Sequence, residues 1–101
     1  MHNKNPQIDQ LHQALIKRFG PDAFVRVRSD KFFAHHAVFA SSQDTRVELF
    51  VMAHKEESRK GRYSVQVEVG MDQPDFDIVV REDSLPLDKV LDVFAENQTY
   101  A

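Results

Sequence analysis

From Tyr63 to Val69 the chain alternates apolar and polar residues without a break, Tyr-Ser-Val-Gln-Val-Glu-Val. A period of two is the pattern of a strand with one buried face, because successive side chains on an extended backbone point to opposite sides. Such a strand needs neighbours to satisfy its backbone polar groups and a second layer to cover its apolar side. The remaining sequence supplies both. Ile8, Leu11, Leu15, Ile16 and Phe19 recur at helical spacing and stop at Gly20-Pro21, which predicts a helix over 7–19. Leu87, Val90, Leu91 and Phe94 return to that spacing and predict a second helix over 86–96. Between them, β-rich runs predict strands at 24–28, 32–40, 46–54, 63–69 and 76–81.

Four successive short connections make neighbouring strands antiparallel. The expected fold is therefore an α+β two-layer sandwich: a five-stranded antiparallel meander sheet with the N- and C-terminal helices packed on one face. At 101 residues, a chain buries roughly 60 to 65% of its unfolded surface, which is enough for one core and one domain, 1–101. Residues 1–6 and 98–101 are expected to fray. The absence of cysteine excludes disulfide scaffolds, thiolate metal sites and thiol nucleophiles. The longest apolar runs, Ala37–Ala40 and Leu49–Ala53, fall far short of the ~20 residues of a membrane span, and residues 1–6 lack an apolar leader core. The expected setting is cytoplasmic, with no membrane contact.

The central hairpin decides what the two faces of the sheet carry. A symmetric Ser41–Thr45 loop places Ala40 opposite Arg46. Phe33, His35, Ala37 and Phe39 then share the core face with Val47, Leu49, Val51 and Ala53. Phe32, Ala34, His36, Val38 and Ala40 share the other with Arg46, Glu48, Phe50, Met52 and His54. A two-layer fold should make that second face polar, yet it holds Phe32, Val38, Phe50 and Met52. A large apolar cluster left in water marks an interaction surface.

Arg26, Arg28, Phe32, His36, Arg46, Phe50 and Met52 are accordingly the expected protein-binding residues, an aromatic and Met centre bordered by cations. This composition predicts a small non-enzymatic protein-binding module of the adaptor, inhibitor or immunity and phage-antagonist kind. Its partner is another protein or a second copy of the chain, as a homodimer. Charge is unevenly spread: residues 1–62 hold eleven Lys/Arg against seven Asp/Glu, and residues 63–101 hold two against nine, giving +4 and −7. That division suits a partner of mixed charge or head-to-tail self-association. It disfavours nucleic acid, whose phosphates need a basic patch free of neighbouring acids. A single-stranded nucleic-acid binder, stacking bases on the aromatic face, remains an alternative, with Glu48 in its middle against it.

Other constellations read as structural. His35-His36 cannot both meet His54, since adjacent strand residues point apart, and in the symmetric register His36 stands four residues, roughly 13 Å, from the position opposite His54. His35 is expected in the core and His36 on the surface. Asp72, Asp75, Asp77, Glu82 and Asp83 lack the glycine and closing Glu of a calcium loop. Ser41-Ser42 lacks a nucleophile elbow, and glycines 20, 61 and 70 are too isolated for a phosphate loop. No catalytic residue, metal ligand or cofactor is expected. The element order is similar to that of frataxin-like proteins, with two helices on one antiparallel sheet, and that resemblance implies a metal-handling protein as the other alternative. The residues depart from that family, whose first helix is acidic and whose sheet carries a tryptophan. Here the first helix has Asp9 against Lys17 and Arg18, and tryptophan is absent.

Overall fold

The stripe from Ile8 to Phe19 forms helix α1, Pro6–Phe19, which buries Ile8, Leu11 and Leu15. It ends where Gly20 adopts φ +95° and its N–H donates to the Ile16 carbonyl at 2.9 Å, a left-handed stop that glycine accepts without steric cost. The computed structural model describes residues 6–27, 35–54, 58, 60–70 and 75–100. Strands β1 (Phe24–Val27), β2 (His36–Ser41), β3 (Val47–Ala53), β4 (Arg62–Gly70) and β5 (Phe76–Pro86) follow, then helix α2 (Leu87–Glu96). The strands pair in chain order, each antiparallel to the last. The expected α+β meander with a helix at each end is what the chain forms.

In β4 the apolar and polar alternation becomes a strict buried and half-buried repeat. Tyr63, Val65, Val67 and Val69 turn to the helices with Val47, Leu49, Val51 and Ala53 of β3 and Ala37 and Phe39 of β2. Val90 and Phe94 of α2 complete that core. Aromatic edges join the layers: Phe24 and Phe94 stand 5.0 Å apart between ring centroids, Phe39 and Phe94 5.6 Å. Tyr63 donates to the Gln7 carbonyl at 2.8 Å and Gln7 Nε2 to the Arg62 carbonyl at 2.7 Å, which fixes the start of α1 over the start of β4. Arg18 and Asp92, 3.2 Å apart, link the two helices at the surface.

Three details depart from the sequence reading. The hairpin register is displaced by two residues: Ala40 faces Glu48, and Arg46 lies outside the ladder. The loop still has five residues but spans 42–46, because the Asp44 carbonyl accepts the Val47 N–H at 2.9 Å and the Asp44 carboxylate accepts the Arg46 N–H at 3.2 Å. These bonds form a tight turn one residue later than symmetry suggests. A shift of two leaves the paired residues, His36–Ala40 and Glu48–Met52, on their expected faces. Secondly, β5 runs five residues past Arg81, absorbing two irregularities in its pairing with β4, and Ser84 takes φ +59°. Thirdly, residues 98–100 are tied down rather than frayed. The Ser41 hydroxyl donates to the Gln98 carbonyl, Asp44 Oδ2 accepts the Tyr100 N–H at 2.9 Å, and Arg46 Nη2 donates to the Tyr100 carbonyl at 2.7 Å. No helix among the described residues is long and apolar enough to cross a membrane.

Candidate functional site

Directly opposed residues in an antiparallel ladder share a face, so the pairings fix what lies opposite the helices. One row across the five strands reads Val25, Ala40, Glu48, Glu68, Ile78, and the next reads Val27, Val38, Phe50, Gln66, Arg81. His36, Met52 and Ser64 form a third. His36, Phe50, Met52, Ser64, Gln66 and Arg81 border a shallow concavity of about 340 Å³. Its floor is the backbone side of Ala37, Val51 and Val65, whose side chains belong to the core.

Of the seven residues singled out from the sequence, this concavity gathers His36, Phe50 and Met52. All three are half-buried, and Val38 beside them is only 3% exposed. Arg28 and Phe32 lie outside the described residues. Arg26 stands opposite Phe39 and so on the helix side of β1. Nearby His12, its ring 5.4 Å from that of Phe39, has its pKa lowered first by burial and next by the Arg26 charge, with Asp9 opposing. Arg46 is also displaced from the border role. Its guanidinium binds both carboxylate oxygens of Asp44, at 3.0 and 2.9 Å, and lies 5.9 Å from the Tyr100 ring. The expected ring of cations is therefore not assembled from Arg26 and Arg46.

The centre of this face is acidic where a basic border was expected. Glu48 and Glu68 are directly opposed on β3 and β4, and Gln66 Nε2 donates to Glu68 Oε2 at 2.7 Å. Like charges in that position are destabilising in the free protein. Alternation in β4 gives Gln66 and Ser64 the right face, and meander order gives them the right neighbours, so the sequence could have placed both. Arg81 was hidden by the irregularity between Val67 and Glu68, where β5 carries an extra residue that changes which of its side chains face outward.

The histidines also differ from expectation. His35 precedes β2 in a turn, so strand alternation does not separate it from His36, and the two rings lie 4.3 Å apart between centroids, tilted at 41°; neither is a core or a fully surface group. The true register sets His36 opposite Met52, one alternate step, or roughly 6.6 Å, from the level of His54, half the separation expected. Among the described residues, no three His, Asp or Glu side chains converge as metal ligands do. His54 Nε2 and Ser64 Oγ are hydrogen-bonded at 2.9 Å, the separation of a nucleophile and its base. Activation also needs donors around a developing oxyanion, and the neighbouring Gln66 amide is committed to Glu68. No family model, curated protein or solved structure matches the chain.

Proposed function

We propose that the chain is a non-enzymatic protein-binding module, an adaptor or an inhibitor of the immunity or antagonist kind, whose partner docks on the sheet face opposite the helices. The observation carrying this reading is the concavity in which the apolar side chains of Phe50 and Met52 stand beside His36, Gln66 and Arg81, on the side a two-layer fold should leave polar. The partner it fits presents an apolar side chain to the concavity and a Lys or Arg to Glu48 and Glu68. A cation between two opposed carboxylates turns a repulsion into two charge-assisted bonds.

Two variants test the reading together. Phe50→Glu removes the apolar anchor, and a protein captured from host extract by the immobilised chain should bind at least about thirtyfold more weakly, the loss expected for a central aromatic. Glu48→Gln should raise thermal stability by relieving the repulsion while also weakening capture, a combination that a purely structural pair would not give. Capture of the same protein at unchanged affinity by both folded variants would remove this face from consideration.

A further inference from the structure

The two edges of the sheet complement each other and not themselves. On the face opposite the helices, β1 offers Val25 and Val27, 55% and 36% exposed, and β5 offers Phe76 and Ile78, 57% and 43% exposed. These are the exposed large hydrophobics among the described residues, and all four sit on edge strands. On the helix side, β1 carries Arg26, opposite buried Phe39, and β5 carries Asp77, opposite buried Val69. Asp75 just before β5 and Glu82 and Asp83 within it add to the acid of that edge, and in the sequence Arg28 follows directly on β1.

Direction and face select one way of joining them. Four antiparallel steps separate β1 from β5, so both edges run the same way. A second copy placed alongside with its helices on the same side lays its β1 parallel to the β5 of the first. Offset by two residues along the strands, roughly 6.6 Å, that copy sets Val25 and Val27 against Phe76 and Ile78 and Arg26 against Asp77, and unpaired edge N–H and C=O groups are satisfied. Joining like edges about a two-fold axis instead sets Arg26 against Arg26, or the β5 acids against each other.

We infer that the chain associates with further copies of itself head to tail, the β1 edge of one continuing the sheet at the β5 edge of the next. Edges, not the central concavity, make this contact, so it stands or falls separately from the partner reading. The interface is heterologous, and growth does not stop at two copies.

Sedimentation equilibrium of the intact chain over a wide concentration range tests it. Mean mass should rise past twice 11.7 kDa, and raising salt should weaken association because the contact depends on charge. Arg26→Glu and Asp77→Arg, both at exposed positions, should each weaken self-association about tenfold while leaving the thermal melt unchanged. Mixing the two variants should restore a complex, since the reversed β1 edge of one then fits the reversed β5 edge of the other. Phe50→Glu should leave association as it is. A chain monomeric at every concentration, a species that stops at two, or reversals that fail to rescue each other on mixing would overturn the inference. In the monomeric case, Arg26 and Asp77 act as guards against edge pairing.

Discussion

Asp44 is an acid whose main work is holding backbone. Its carboxylate accepts from the Arg46 side chain and main chain and from the Tyr100 N–H. The Arg46 guanidinium, and after it the Tyr100 amide, hold its pKa well below the ordinary carboxylate range. A carboxyl depressed on folding stabilises the native state above its unfolded value and loses that contribution as pH falls below about 4. The wild-type melting temperature should therefore drop on acidification through that range, and Asp44→Asn should melt lower at neutral pH with a shallower acid dependence. Tyr63 sets the opposite limb. Burial pushes its hydroxyl up to about 12, so stability is complete below the ordinary value near 10 and declines as pH rises through 10 towards 12. Tyr63→Phe should cost about 1 kcal/mol for the lost bond to Gln7 and flatten that alkaline decline, as denaturant titrations at several pH values would show.

Helix α1 and strand β4 were the elements most legible in the sequence, because each repeats its own period without interruption. Leu15→Ala should cost about 2 to 5 kcal/mol in urea unfolding, since the side chain is buried between α1 and the sheet. Gly20→Ala should cost about 1 to 2 kcal/mol, because only glycine enters the left-handed region freely where α1 stops. Face assignment in the central hairpin was legible for the same periodic reason, but its register was not: the turn depends on where the Asp44 carboxylate finds donors, which alternation does not encode. Arg46 shows the same limit. Parity puts it beside Glu48, while its length lets the guanidinium reach Asp44 and the Tyr100 carbonyl instead. β5 escaped in its second half because Glu82, Asp83 and Ser84 read as a polar turn. Glu82 stays paired with Val65, while Asp83 and Ser84, the latter at positive φ, fall in the irregularity before pairing resumes at Leu85 and Tyr63.

Across the whole molecule, the uneven charge of the sequence becomes a geometry. The first strand carries its cation at one edge of the sheet and the last carries its acids at the other, with the width of the sheet between them. The tail after α2 is fastened to the β2–β3 turn through Ser41, Gln43, Asp44 and Arg46, with Gln43 Nε2 donating to Gln98 Oε1 at 2.6 Å. Removing residues 98–101 should lower stability by roughly 1 to 3 kcal/mol in the same urea assay, the sum of a few half-exposed hydrogen bonds, and should leave the sheet's circular dichroism in place.

That fastening joins residues more than fifty positions apart, whereas every strand pair in the meander joins segments adjacent in the chain. Hairpins close over short loops at little entropic cost, so the sheet can zip before its ends find each other. The tail contact then belongs to the last stage of folding. Deleting it should quicken unfolding and leave the refolding rate nearly untouched, a split readable from the two arms of a stopped-flow chevron. A latch closed last governs how long the native state persists, not how fast it is reached.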